Sequence, residues 1–217
     1  MSTISSSTTT TTAYTVSADT TGALVFQTGA TPTTALTLST SQNATFAGTV
    51  ADSTGTLRPL VSGTAQTTTS GTSINFTGLP SWVERITILF QNVSTTGTSN
   101  VGIQLGTGST PTYVTTGYAS VGNTIAGGAV ASTSYTTLFG LGSGNQVAAS
   151  VMQGQIMLSN ITGNNWVFSG TTSQTNTNAT HVGNGSLSLG AVLTAVRITT
   201  VAGTDTFDAG TINIFYE

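Results

Sequence analysis

The stretch "INFTGLPSWVERITILFQNVS", residues 74–94, sets the expected architecture of this chain. It has a turn at Gly78–Pro80, followed by a run from Trp82 to Phe90 in which both faces are mostly apolar. Successive side chains of a strand point to opposite faces, so a short run that is apolar on both faces predicts a strand enclosed in a core.

Further strand candidates follow this run to the end of the chain, separated by turns rich in Gly, Asn, Ser and Thr. No stretch has the 3.6-residue period of an amphipathic helix. Regularly spaced short strands with turn signals predict an all-β protein in which residues 63–217 form an antiparallel, jelly-roll-like β-sandwich. The candidates are "NVGIQLGT", "YVTTGYASV", "SYTTLFGL", "VMQGQIMLSNI", "NNWVFSGTTS", "GSLSLG", "LTAVRITTV" and "GTINIFYE".

The low content of charged residues excludes some classes of binding partner. Only 4% of the 217 residues are charged, lysine is absent, and the basic residues are Arg58, Arg85 and Arg197. Proteins that bind nucleic acid neutralise phosphates with clustered Lys and Arg, so no nucleic-acid partner is expected. No apolar run approaches the roughly 18 residues of a membrane span, so no membrane insertion is expected.

The absence of cysteine and of a signal peptide limits the metal sites that the chain can form and the way in which it can be exported. The chain has no cysteine, which excludes disulfides and Cys-based metal sites. The opening "MSTISSSTTTTTAYTVS" has neither the basic nor the apolar region of a signal peptide, so synthesis in a cytoplasm without a classical export signal is expected.

The first part of the chain is organised differently from the rest. Residues 1–12 form a Ser/Thr-rich tail that we expect to be mobile unless a partner holds it. Residues 13–62 contain short strands and then a linker around Arg58-Pro59, with a domain boundary near residue 62. Shared parity along these strands predicts one apolar face, formed by Leu24, Phe26, Leu36, Leu38 and Phe46.

Most of the charged residues lie in two segments, "WVERITILF" and "AVRITTVAGTDTFDAGTINIFYE". A functional interpretation makes Asp205 and Asp208 a carboxylate pair or cation ligands. A Ca²⁺ site needs about 6 to 8 oxygen ligands, which two aspartates at this spacing do not supply. We favour a structural interpretation, in which the two segments are neighbours and their arginines and carboxylates pair. This set is Glu84, Arg85, Arg197, Asp205 and Asp208, with Glu217 at the end of the second segment.

No residue has the sequence context of a catalytic group. His181 is the only histidine, and no local motif supplies a nucleophile or an orienting acid, so we expect it in a polar surface loop. No metal site, cofactor or catalytic residue is therefore predicted. Trp82 is predicted to fill the core. Trp166, beside Asn164 and Asn165, is left open between the core and a contact with a glycan.

The residues resemble one family of proteins. "TTGALVFQTGATPTTALTLSTSQNATFAGTV" resembles short repeats of bacteriophage tail-fibre and other virion fibre proteins. The segments "GTSINFTGLPSWVERITILFQNVSTTGTSNVGIQLG" and "VRITTVAGTDTFDAGTINIFYE" resemble the β-rich terminal domains of such proteins. The resemblance covers the chain from about residue 20 to its end, and it implies a trimeric, non-enzymatic component of a virion.

The apolar face of the first part agrees with a trimer. A segment of this size cannot bury enough surface alone, whereas three copies around an axis would bury the five apolar residues together. Folding and association would then be inseparable.

Two functional hypotheses follow, with an enzyme as a third class. In the first, the chain is a tail fibre or spike: its N-terminus anchors to other virion proteins, residues 13–62 form a stem, and the sandwich binds a host-surface glycan or protein with trimeric avidity. In the alternative, it is a capsid decoration or cement protein, or a head fibre, whose N-terminal arm adds strands to neighbouring subunits. A glycan depolymerase would need paired carboxylates in a groove, and we expect the chain not to be an enzyme.

Overall fold

The chain is an all-β protein composed of antiparallel sheets. The computed structural model describes residues 22–51, 55–144, 146–148 and 150–217, and no helix occurs in these ranges, as the sequence predicted. Consequently, none of the described segments is a helix long and apolar enough to cross a membrane. The predicted tail, residues 1–12, lies outside the described residues.

The chain divides into two compact units, Met1–Arg58 and Pro59–Glu217. The boundary predicted from the sequence, near residue 62, falls in the stretch that follows Arg58-Pro59. Pro59 has no backbone N–H and restricts the residue before it to extended conformations, which suits a connection between two units.

The first unit contains a three-stranded antiparallel sheet in the order β1, β2, β3. These strands are Leu24–Thr28, Thr33–Leu38 and Ala44–Phe46. Gly29, in the turn between β1 and β2, has a φ of 102°, which a residue with a side chain rarely adopts.

The second unit contains a nine-stranded antiparallel sheet. Its path is β11-β10-β15-β14-β13-β7-β17-β4, and β5 pairs with β17 beside that path. The strands are β4 (Val61–Ser62), β5 (Gln66–Thr67), β7 (Arg85–Thr95), β10 (Ala119–Ala126), β11 (Ala129–Tyr135), β13 (Met152–Thr162), β14 (Asn165–Gln174), β15 (Ala179–Ser188) and β17 (Phe207–Tyr216).

A five-stranded antiparallel sheet completes the second unit. Its path is β12-β8-β16-β6, with β9 paired to β8. The strands are β6 (Ser73–Thr77), β8 (Val101–Thr107), β9 (Thr112–Tyr113), β12 (Phe139–Gly140) and β16 (Leu193–Thr200).

One hydrophobic core draws side chains from both of these sheets. In β7, Ile86, Ile88 and Phe90 are buried, while Thr87 and Leu89 between them are half-buried on the other face. The prediction that this run is enclosed on both faces is therefore wrong: only one face enters the core. Fully burying a side chain of this size contributes about 1.5–3 kcal/mol, so this single face contributes substantially to stability.

Aromatic rings connect the two sheets within the core. Phe139 of the five-stranded sheet stacks on Phe168 of the nine-stranded sheet, with 4.9 Å between ring centroids. Tyr118 meets Phe139 edge to face at 4.8 Å. Offset and edge-to-face pairs of this kind add about 0.5–1.5 kcal/mol beyond the burial of their area.

Glycines allow the backbones to approach closely beside these rings. A Cβ on Gly122 of β10 would lie 2.7 Å from the carbonyl oxygen of Gly142 and 3.0 Å from that of Gly140. Real Cβ atoms do not come this close to backbone oxygens, so β10 packs on the segment after β12 only because residue 122 has no side chain.

Three strand predictions differ from the structure. "YVTTGYASV" is predicted as one strand, but it contains the end of β9 and the start of β10, with a loop between them. "SYTTLFGL" is predicted as one strand, but it contains the end of β11 and the short β12, with a bend between them. "GSLSLG" is only the last part of β15, which begins at Ala179. The first half of β15 turns Ala179 and Gly183 inward, so its buried face lacks the large apolar residues that mark a strand.

Candidate functional site

All five residues of the predicted oligomerisation face lie on one side of the three-stranded sheet. In the strand register Leu24 is opposite Leu38, Phe26 is opposite Leu36, and Leu36 is also opposite Phe46. Directly opposite residues in paired strands point to the same face. The parity of these residues in the sequence therefore predicted which side chains would come together.

This apolar face is partly open to solvent. Phe26 is 42% exposed and Phe46 is 52% exposed, while Leu24, Leu36 and Leu38 are half-buried. The opposite face of the sheet carries Val25, which is 43% exposed, together with Thr37 and Thr45, its neighbours in the register. The two faces thus differ in the bulk of their apolar side chains, and the bulkier face is the one that the sequence singled out.

The predicted ion-pairing set separates into different environments. The Arg85 guanidinium forms an ion pair with the Glu217 carboxylate, and both side chains are partly solvent-accessible. Main-chain bonds reinforce this contact, because Arg85 N donates to Glu217 O at 2.9 Å and Glu217 N donates to Arg85 O at 3.0 Å. The backbone N–H of Glu84 also donates to Glu217 O, at 2.8 Å.

Arg197 is held by neutral groups and not by the predicted aspartates. Its Nε donates to Asn75 Oδ1 at 2.9 Å, and its guanidinium carbon lies 3.7 Å from the centroid of the Tyr113 ring. Burial raises the pKa of the Tyr113 hydroxyl, and the nearby guanidinium opposes that rise. Arg197 belongs to β16 in the five-stranded sheet, whereas the last strand, β17, pairs with β7 in the other sheet.

The two aspartates accept hydrogen bonds from the β7–β8 region. Asp205 accepts from the backbone N–H of Ser99 at 2.8 Å, and Asp208 accepts from the Ser94 hydroxyl. Among the described residues, no group of three His, Cys, Asp or Glu side chains is placed to hold a metal ion. The predicted pairing of these two aspartates with arginines is therefore wrong, because their partners are a backbone N–H and a hydroxyl group.

His181 lies in the core and not in a surface loop, so that prediction is wrong. It is 2% exposed in β15, opposite Thr124 of β10 and Thr172 of β14. Burial lowers the pKa of its imidazole. Neither its Nε2 nor the Thr172 hydroxyl has a hydrogen-bond partner among the described residues. A Cβ on Gly142 would lie 2.5 Å from His181 Nδ1, so the ring packs directly against that glycine.

The two tryptophans differ in burial. Trp166 is 2% exposed and belongs to the core cluster, so of the two alternatives left open for it the glycan contact is wrong. Trp82, predicted to fill the core, is only partly buried. It packs against the core and lies 6.0 Å from Tyr216 between ring centroids.

A small pocket lies beside Trp166, where the β13–β14 hairpin meets the residues that precede β7 and the start of β16. We call it the end pocket. Its volume is about 50 Å³, and its lining includes Val83, Glu84, Asn160, Asn164, Trp166 and Leu193. The predictions from sequence missed it. The two-residue turn Gly163-Asn164 by itself would place Ile161 opposite Trp166, whereas a bulge after Asn160 brings Asn160 opposite Trp166.

Two wider depressions lie on the outer face of the nine-stranded sheet. They measure about 300 and 320 Å³ and share Thr87, Gln155 and Met157, so we treat them as one outer groove. Ser169 and Thr171 line one end of the outer groove, and Leu60, Phe215 and the Arg85–Glu217 pair line the other. Hydroxyl and amide groups thus alternate with a few apolar side chains.

Comparison with protein-family models, curated proteins and solved structures found no match to this chain.

Proposed function

We propose that this chain is a non-enzymatic structural protein of a bacteriophage virion, a homotrimeric tail fibre or spike. The observation that carries the proposal is the exposed apolar face of the three-stranded sheet, formed by Leu24, Phe26, Leu36, Leu38 and Phe46. The sequence resemblance to virion fibre proteins, given above on its residues, points to the same class.

The small size of this sheet favours a trimer on energetic grounds. A sheet of three short strands buries an apolar face only by packing it against another layer. Three copies arranged around an axis would turn Phe26, Leu36 and Phe46 toward one another and leave Val25, Thr37 and Thr45 toward solvent. Each large apolar side chain that becomes fully buried contributes about 1.5–3 kcal/mol. Association of the three chains would therefore stabilise the folded stem, and folding of the stem would be coupled to association.

In this proposal residues 63–217 form the head, an antiparallel β-sandwich of the jelly-roll kind. The contribution of both sheets to one core, with Phe139 stacked on Phe168, supports the two-layer arrangement. The outer groove supplies a surface for a host glycan or protein, because its hydroxyl and amide groups suit an uncharged, hydrogen-bonding partner. Three weak contacts on one trimer would act together through avidity.

The contacts of the aspartates support a role without catalysis. A hydrolase of glycans typically uses two carboxyl groups that flank the bond to be cleaved. Asp205, just before β17, and Asp208, within β17, instead accept hydrogen bonds from Ser99 and Ser94 of the β7–β8 region. We propose that both aspartates hold the start of β17 against the β7–β8 region.

The N-terminal segment would attach the trimer to other virion proteins, and the finished chain would reside in the virion. Electron cryomicroscopy of complete particles, with antibody labelling of this chain, tests the assignment. The proposal predicts a small number of trimeric projections at the tail. A dense, regular coat over the capsid would favour the alternative decoration or cement protein, and purified particles without the chain would contradict both.

A further inference from the structure

Two residues that line the end pocket each carry a buried polar atom with no partner within the described protein. One is Nε1 of Trp166, a residue that is almost fully buried, and the other is Oδ1 of Asn160. A buried donor or acceptor left unpaired costs about 1–3 kcal/mol. A donor and an acceptor in the same lining therefore favour an occupant that satisfies both.

The β13–β14 hairpin fixes the positions of these two groups. Asn160 and Trp166 are directly opposite each other in the strand register, so both side chains point to the core-facing side. Asn160 Nδ2 donates to Gly163 O at 2.8 Å, and Asn160 N donates to Glu84 O at 2.8 Å. Rotating the amide would break the bond to Gly163, so Oδ1 is the atom left as a free acceptor.

The two groups select the chemistry of the occupant. An indole N–H only donates and an amide oxygen only accepts, so the occupant must accept one hydrogen bond and donate another. A metal ion cannot accept from Trp166 Nε1–H. An anion cannot donate to Asn160 Oδ1. A neutral hydroxyl group meets both requirements.

We propose that the end pocket binds one neutral hydroxyl group, which accepts a hydrogen bond from Trp166 Nε1–H and donates one to Asn160 Oδ1. A volume of about 50 Å³ accommodates a hydroxymethyl group or a few waters, since one water needs roughly 10–15 Å³ on this measure. It does not accommodate a drug-sized ligand, whose pockets start at about 300 Å³. The hydroxyl belongs either to solvent water or to a small polyol, and the site does not depend on the proposed virion function.

Nuclear magnetic resonance of the full chain tests this site directly. The chain has two tryptophans, so ¹⁵N labelling gives two indole signals, and the variant Trp82→Phe assigns the one from Trp166. We expect a nuclear Overhauser effect between water and the Trp166 indole proton. Asn160→Leu removes the acceptor and should abolish this effect and shift the indole signal, whereas Asn184→Leu, an exposed change on β15, should leave both unchanged.

Titration with glycerol separates the two sources of the hydroxyl. If glycerol protons replace water in the Overhauser effect, the site takes a polyol, and if only water is seen, the occupant is solvent; either result supports a hydroxyl site. The proposal is overturned if the native chain shows no Overhauser effect from water or glycerol to Trp166. This observation needs no variant, so it remains decisive even if Asn160→Leu fails to fold.

Discussion

Phe26 lies directly opposite Leu36 in the register of the first two strands, yet 42% of its surface remains exposed. Leu36 is also paired with Phe46, so the middle strand carries the centre of an apolar face that spans the whole small sheet. In the proposed trimer, other copies cover this face. The proposal of a trimeric stem rests on this relationship.

The buried imidazole of His181 predicts that the protein becomes less stable in mild acid. Burial lowers its pKa in the folded state, whereas the unfolded chain takes up a proton near pH 6.5. Below that pH the unfolded state binds more protons than the folded state, so the free energy of unfolding falls as the pH falls. Denaturant unfolding at about pH 7.5 and about pH 5.5, on either side of that value, measures the difference. His181→Gln should flatten it, and an unchanged pH dependence in that variant would contradict the assignment.

Gly122→Ala should destabilise the second unit by about 1–3 kcal/mol, because the added Cβ would meet the backbone oxygens of Gly142 and Gly140. Gly190→Ala is the matched control, since nothing lies within 4 Å of a Cβ at that position. Its effect should stay within about 0.5 kcal/mol. Thermal unfolding compares the two variants. Equal destabilisation would mean that β10 and the segment after β12 do not pack as closely as described.

The two strand arginines should differ in their contribution to stability. Arg197→Ala removes the hydrogen bond to Asn75 and the contact with the Tyr113 ring, and it should cost about 1–3 kcal/mol. Arg85→Ala removes only an accessible ion pair with Glu217, and it should cost less than about 1 kcal/mol. Denaturant unfolding at low and high salt checks both. Salt should weaken the effect of Arg85→Ala, and a larger loss at Arg85 than at Arg197 would show that these environments are wrongly assigned.

The double variant Asp205→Asn, Asp208→Asn tests the assignment as a protein without catalysis. Asparagine keeps an acceptor for Ser99 and Ser94, so the fold and incorporation into particles should be retained. Particles carrying the variant should adsorb to host cells as the native particles do. If native particles degrade host glycan and the variant particles do not, the aspartates are catalytic and the proposed function is wrong.

The sequence was informative where side chains alternate within single strands. The parity of Leu24, Phe26, Leu36, Leu38 and Phe46 placed them on one face, and the register confirms that placement. The absence of helix in the described residues also follows from local patterns, because Thr-rich short strands and Gly/Asn turns lack any 3.6-residue period.

Local sequence patterns were uninformative where the pairing of distant strands decides which groups surround a side chain. Nothing within "AVRITTVAGTDTFDAGTINIFYE" indicates that its first half joins the five-stranded sheet and its second half the nine-stranded sheet, which separates Arg197 from the partners expected for it. His181 was misplaced because its inward-facing neighbours in β15, Ala179 and Gly183, are small. A histidine among small residues has no apolar periodicity, although the fold buries it beneath Gly142.

The mass of the native chain in solution, measured by sedimentation equilibrium, tests the central claim most directly. The trimeric stem predicts three times the 21.8 kDa of one chain. Phe26→Ser should lower this mass toward that of a single chain, while Val25→Ser, an exposed change of similar extent on the opposite face, should leave it unchanged. A native chain that sediments at 21.8 kDa over the whole accessible concentration range would contradict the trimeric stem.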